Sequence, residues 1–390
     1  MKKSFVSFLV VFSLLFSSLC AVEWGGIVND ETSINSFEFK DYNLSQSNAA
    51  YLWLTIPFTE DSSWKLSTEA MYKYTFDLSL PVKSGVPSEF TSFADLDLFK
   101  LSGIIEAEKG TISLDFGRFF VSDITGMVFS QNSDGFSFSY SVPAFKAFLY
   151  GGYTGLLNGL NVTMLDAAGS AFENNPQSKI YDFAHGFIPV IFNITLPGLF
   201  ANQTLSFESS AFFDLKEASG VPRTNTFYGA LSLGGPLSNS IYYSLVSTVG
   251  SQNFKNIMNY TSLGISIFPN DGILISAGAK YASGKELGMA EFRTITSQTA
   301  YNSFEEAQMT NVILPTFGLS FAGLNYYVGL NALAVLQLSQ TVFHGVQGSL
   351  SSTFNVFSDF SLGADICAYY DVVKKSNNNY KATVRAVISF

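Results

Sequence analysis

The stretch with the densest supply of groups able to do chemistry reads Leu114-Asp115-Phe116-Gly117-Arg118, followed closely by Asp123, Gln131, Asn132 and Asp134. One guanidinium among three carboxylates has two readings. Across a narrow aqueous gap, opposed fixed charges set up a transverse field that orients dipolar solutes and sorts ions. In an ordinary surface loop the same groups make a rim salt bridge of little consequence. Strict alternation puts Arg118 on the face of Leu114 and Phe116, opposite Asp115, so the first reading needs a bulge or a strand end just before Arg118.

A second set of ionisable residues is threaded through alternating segments. Leu66, Thr68, Ala70, Tyr72, Tyr74, Phe76 and Leu78 share one face, and Lys65, Ser67, Glu69, Met71, Lys73, Thr75 and Asp77 share the other. A row with that many charges must face water, because a packed core does not accept them unpaired. The same logic assigns Lys65, Glu69, Lys73, Asp77, Asp95, Asp97, Glu208, Asp214, Lys280, Asp365, Lys381 and Arg385 to an aqueous lumen. Taken singly, each solvates and braces a wall. Taken together, with acids outnumbering bases, they predict a modest preference for cations.

Enzyme chemistry finds little to work with. His185 and His344 are the only imidazoles, and neither sits in a Gly-x-Ser-x-Gly or His-Glu-x-x-His setting. Asp182, three residues before His185, is a weak partner, and a loop histidine satisfied by its surroundings is the simpler reading. Phosphate and dinucleotide loops are absent, so no cofactor is expected. Two histidines and one cysteine outside the leader argue against a metal centre. The expectation is a protein that is not an enzyme.

The elements that must position these residues are short strands. Residues 1–21 read as a cleaved secretory signal peptide: Lys2 and Lys3, an apolar segment from Phe5 to Phe16, then small residues around Ala21. Removing that leader, which holds two lysines and no acid, takes the formal charge from -10 to -12. An acidic chain does not suit nucleic acid. Charged residues make up 13%, against roughly 25% in soluble proteins, and the mean hydropathy is positive at +0.23. Beyond residue 21 no apolar run is long enough for a spanning helix. With 39 Phe, 19 Tyr and 31 Gly, that combination favours a β-barrel whose outer wall faces lipid.

Tight connections are predicted at 59–62, 107–110, 141–145, 196–201, 234–238, 269–272, 322–325 and 358–360, where turn-forming residues separate alternating runs. Longer connections are predicted at 155–186 and 283–309. Two strands per tight turn, the last segment Tyr380–Phe390 and a first strand near 23–36 give eighteen, with sixteen as the runner-up. The expected fold is all-β: one transmembrane antiparallel up-and-down barrel over residues 22–390. A β-sandwich does not account for so many similar strands or so little charge. A β-solenoid would need a fixed repeat, which is not present.

The segment Tyr380–Phe390 places Tyr380, Ala382, Val384, Ala386, Ile388 and Phe390 on one face and ends on an aromatic. It resembles the carboxy-terminal assembly signal of bacterial outer-membrane barrels. The chain from residue 22 onward looks like a porin-type barrel, and its Phe-, Ser- and Asn-rich texture is similar to uncharacterised spirochaetal members. The resemblance implies a place in the bacterial outer membrane, contact with its lipids, insertion by the barrel-assembly machinery and passive diffusion of small hydrophilic solutes. It also implies a strand ending at Gly117-Arg118 before an inward-folded connection, which would make Asp115, Arg118, Asp123 and Asp134 the pore constriction. Porins often associate as homo-oligomers, but alternation does not distinguish lipid from a neighbouring subunit. Two alternatives stay open: a plugged hydrophobic-compound transporter, for which residues 22–48 are a short plug, and a surface adhesin or structural barrel using outward-projecting loops at 155–186 and 283–309.

Overall fold

The computed structural model describes residues 22–38, 40–58, 61–80, 89–172, 180–215, 222–296, 309–338, 342–374 and 378–390. The signal peptide expected at 1–21 and parts of both long connections lie outside the described residues. Eighteen strands follow in order: β1 (Glu23–Phe37), β2 (Asp41–Pro57), β3 (Trp64–Leu80), β4 (Glu89–Ala107), β5 (Gly110–Ser122), β6 (Ser130–Val142), β7 (Phe145–Tyr153), β8 (Phe187–Leu196), β9 (Thr204–Asp214), β10 (Thr226–Ser238), β11 (Ile241–Gln252), β12 (Asn256–Asn270), β13 (Ile273–Ala282), β14 (Val312–Ala322), β15 (Tyr326–Gln337), β16 (Val342–Asn355), β17 (Phe360–Asp371) and β18 (Asn379–Ser389).

Each strand pairs antiparallel with its sequence neighbours, and β1 pairs with β18 from Ile27↔Ser389 to Phe37↔Asn379, which closes the sheet into one barrel. The backbone groups of Gly26 and Phe390 exchange hydrogen bonds of 2.9 and 3.0 Å at that seam. Closure leaves no strand edge, which is what allows so much apolar wall without invited mispairing. Alternation decides the two faces. Leu52, Phe120 and Val384 lie in outward rows and stay exposed, whereas Ser33, Ser137 and Thr383 lie in inward rows and are buried.

The connections at the two ends differ. After even-numbered strands the chain turns tightly, with two residues between β4 and β5, β6 and β7, β10 and β11, and β12 and β13. After odd-numbered strands it makes the longer excursions at 154–186 and 283–311. Short turns at one end and long loops at the other are the layout of outer-membrane barrels, with the loops outside. One turn falls elsewhere than expected. Gly234-Gly235-Pro236 remains inside β10, which runs on with a register shift between Pro236 and Ser238, and the chain reverses at residues 239–240 instead. Pro lacks an amide donor and sits here at the shift, where a ladder bond is already lost. The second strand is also longer than its alternating core at 49–57, beginning at Asp41.

Residues 22–48 supply β1 and the first half of β2, so they form wall. The described parts of the two long connections fold into the barrel mouth. Met164 and Thr296 form an isolated bridge, Leu165 N donates to Ile295 O at 2.9 Å, and Ile295 N donates to Val128 O at 2.8 Å. Three connections, 123–129, 154–172 and 283–296, are therefore knitted together. They pack their apolar side chains mainly on inward residues of β5 to β15, with Tyr369 of β17 and Leu98 of β4 at the margins: Phe129 meets Phe212 at 5.4 Å and Phe292 meets Tyr260 at 5.4 Å. Each such side chain removed from water contributes about 1.5–3 kcal/mol.

Candidate functional site

Arg118 stands where two strands separate. β4 and β5 pair from Ala107↔Gly110 as far as Phe99↔Arg118; beyond that point residues 119–122 pair only with β6, and Glu89 to Leu98 pair only with β3. Gly117 makes the parting geometrically feasible. Its φ is +109°, and a Cβ there would lie 2.1 Å from Phe99 O, so no other residue fits without moving the neighbouring strand. The opening is bridged by the connection after β7: Asn158 Nδ2 donates to Ala94 O at 3.0 Å and to Ile180 O at 3.3 Å.

The guanidinium of Arg118 fastens this seam. Nε and Nη2 donate to the two oxygens of Asp134 at 2.9 and 3.0 Å. Nη1 donates to Asp95 Oδ1 and to Leu96 O, both at 3.1 Å, and Nη2 donates to Leu156 O at 2.7 Å. An arginine carries five N–H donors, and all five are used. The fork on Asp134 is the bidentate geometry that only Arg provides. Asn161 extends the cluster, donating to Asp95 Oδ2 at 2.9 Å and Asp97 Oδ1 at 2.7 Å. Leu156 O also accepts from the Tyr181 hydroxyl.

The four residues expected at a constriction are thus not one cluster. Arg118 and Asp134 are direct cross-strand partners. Asp115 sits on the inward row, accepting from Ser102 Oγ at 2.7 Å and Ser137 Oγ at 3.1 Å, with Lys100 Nζ at 3.7 Å. Asp123 opens the connection after β5 and shapes it from within. It accepts from the amides of Thr125, Val128 and Phe129 at 2.9 to 3.0 Å and from the Thr125 hydroxyl. Burial pushes the Asp123 carboxyl pKa up from the ordinary aspartate value, and those donors pull it back. The start of this connection reaches the wall four strands along, where Ile124 N donates to Glu208 Oε2 at 3.0 Å. Glu208 lies on β9, so the connection crosses the lumen side of the barrel.

Of the residues assigned to the lumen, Arg385 and Asp365 pair at 2.7 Å. Lys65, Glu69, Lys73 and Asp77 form one row of β3, and Lys381 stands opposite Cys367 on the adjoining strand. Lys280 lies on β13 opposite Ser262 and Leu314. Asp214 is taken up by His185, whose Nε2 lies 2.7 Å from Asp214 Oδ1 while its ring stacks on Phe172 at 3.6 Å. That arrangement holds the long connection to the end of β9.

Alternation alone missed Lys100 for a definite reason. A register shift between Glu69 and Ala70 inserts one extra residue at Asp97, so Asp95 and Asp97 on one side of it and Leu98, Lys100 and Ser102 on the other all come to the inner row. Asn158 and Asn161 had no periodic signal to mark them.

No protein-family model matches the sequence, and no curated protein matches it. Solved structures do match in fold. Pseudomonas aeruginosa OccK3 (OpdO) aligns with TM-score 0.64 at 10% identity over 96% of this chain and 97% of its own. Acinetobacter baumannii OccAB4 aligns with TM-score 0.63 at 9% identity over 96% and 99%. Pseudomonas aeruginosa OccK7 (OpdD) aligns with TM-score 0.61 at 9% identity over 95% and 99%. The chain therefore has the closed 18-stranded fold of bacterial outer-membrane porins of this type, and the likeness is not specifically to spirochaetal barrels.

Proposed function

We propose that the protein is a bacterial outer-membrane channel for passive diffusion of small hydrophilic solutes, with a weak preference for cations. One observation carries the reading. The inward rows of β17, β18, β1 and β3 hold Asp365, Lys381, Arg385, Glu31, Lys65, Glu69, Lys73 and Asp77, and the apolar cluster built by the inward connections draws mainly on β5 to β15. Ionisable groups in numbers on a wall need water beside them, which leaves an aqueous path along that arc.

In this reading Arg118, Asp134, Asp115 and Asp123 set the constriction as positioning residues. Arg118 and Asp134 clamp the wall and the connection after β7, and Asp123 folds the connection that narrows the lumen. The solute then meets Glu69, Lys73 and Asp77 with their neighbours. Wall formation by residues 22–48 disfavours an amino-terminal plug, and inward folding of the described loop segments disfavours an adhesin built on projecting loops. Outer-membrane lipid and the barrel-assembly machinery are the partners this reading implies. Homo-oligomer formation is compatible with it.

Planar-bilayer conductance of the folded protein, with reversal potential read across a potassium chloride gradient, tests the proposal. Stable steps with a cation-leaning reversal potential are expected. A folded, inserted barrel that never conducts would overturn it.

A further inference from the structure

The turn between β11 and β12 is three residues long, and two of them, Asn253 and Phe254, have φ of +49° and +57°. Asn takes that conformation readily, whereas a bulky aromatic there is an outlier that needs a reason. The Phe254 ring stacks on Phe227 at 4.2 Å, and Phe227 meets Phe213 edge-on at 5.9 Å. Phe213 and Phe227 belong to outward rows, and Phe254 is 76% exposed. Three rings thus form an exposed ladder at the loop end of the wall, where barrels carry the aromatic girdle of the membrane interface.

Beside this ladder lies a cavity of about 560 Å³ whose lining includes Lys255, Lys285, Arg293, Glu291, Gln252 and Ile257. Glu291 is bonded to Arg293 and lies 3.8 Å from Lys285. Three bases against one acid make this a cationic pocket in a chain of net charge -10. Ile257 continues the outward row beneath it, 59% exposed. Bases immediately above an apolar, aromatic belt match one kind of ligand, an anionic headgroup on an acyl chain.

We propose that this pocket seats a phosphate of an outer-leaflet lipid headgroup, with Phe254, Phe227 and Ile257 against the lipid's acyl boundary. Lys255 and Lys285 supply the charge from the two sides of the cleft, and Arg293 forms its inner wall. The turn keeps an aromatic at a positive φ because that ring anchors the rim at the depth of the headgroups. The inference rests on the membrane reading of the barrel but not on an open pore.

The test uses the folded full chain in neutral detergent micelles, so conduction plays no part. Diphosphorylated lipid A, its dephosphorylated counterpart and inorganic phosphate are titrated separately, with bound lipid counted by native mass spectrometry and the thermal midpoint followed. Diphosphorylated lipid is expected to bind and raise the midpoint, and the other two are not. A Lys255→Ala/Lys285→Ala double variant is expected to lose roughly tenfold to thirtyfold in lipid affinity. Phe254→Gly, which suits the positive φ and so retains the turn, is expected to weaken lipid binding too. An equal response to inorganic phosphate would reassign the pocket to free anions. Undiminished lipid binding in the double variant would overturn the proposal.

Discussion

Two arcs of one wall differ sharply. From β10 to β16 the strands contain a single Lys, Arg, Asp or Glu, which is Lys280. Their inward rows carry Ser232, Ser244, Gly264, Ser276, Gly278, Gly318, Asn331 and Ser349, with large apolar residues such as Tyr260 and Leu314 toward the loop end. From β17 through the closure to β4 charges recur on the inward rows, with Asp365, Lys381, Arg385, Glu31, Lys65, Glu69, Lys73, Asp77, Asp95 and Lys100, and only β2 presents an uncharged inward stretch, from Asn43 to Pro57. The difference follows from what each arc faces. Where inward connections pack on the wall, the wall supplies apolar contact, and a charge there would lose its water. Away from those connections, along β18, β1 and β3, charges stay hydrated and set the field. The alternation that defines both arcs is the same; only their partners differ.

Arg118 lies at the edge of the charged arc, between β4 and β5, and the most damaging change should be made there. Arg118→Ala leaves Asp95 and Asp134 facing each other with little solvent, together with two bereft carbonyls. Breaking a buried pair from one side costs about 3–5 kcal/mol. The midpoint of urea unfolding in detergent is expected to fall sharply, or the barrel to fail to fold. Arg118→Lys retains the charge without the fork and is expected to lie between the two. An unchanged midpoint for Arg118→Ala would break the idea that this residue fastens the edge of the charged arc.

A gentler probe sharpens the contrast. Glu69→Gln with Asp77→Asn removes two carboxylates from the charged arc without touching Arg118. The cation-to-anion permeability ratio is expected to drop by roughly twofold, since a solvated charge contributes on the order of 0.5 kcal/mol. Lys280→Gln on the other arc is expected to shift the ratio less and in the opposite direction. Reversal potentials in the same salt gradient read both. If Lys280→Gln has the larger effect, the solute path runs along the uncharged arc.

Much of this was legible in the sequence. Seventeen strands and the charged row of β3 follow from alternation and turn residues; the first strand comes from the even count that the porin resemblance implies, and closure from the need to cover an apolar last strand. Three features did not follow. The register shift at Asp97 reverses parity with no Gly or Pro to announce it, which hid Lys100. The Gly-Gly-Pro run imitates a turn but sits within β10. The partners of Arg118 come from β4, β6 and the connection after β7, and no local period relates Asp95, Asp134 and Leu156. A bend just before Arg118 could be anticipated, because Gly117 stands there; what the guanidinium would grip could not.

The smallest expected effect tests the face assignment itself on the uncharged arc. In a Cys367→Ser background, Ser349→Cys places a thiol in the inward row of β16, beside Asn331 and Cys367's own position, whereas Ser352→Cys places one in the outward row, where Ser352 now donates to Ala364 O at 3.2 Å. A thiol reacts as its thiolate, and the thiolate needs water. A charged, water-soluble thiol reagent is therefore expected to modify residue 349 readily and residue 352 hardly at all. Equal reactivity at both positions would mean that the inward and outward rows of β16 are not separated by lipid and water, and the comparison of the two arcs would lose its footing.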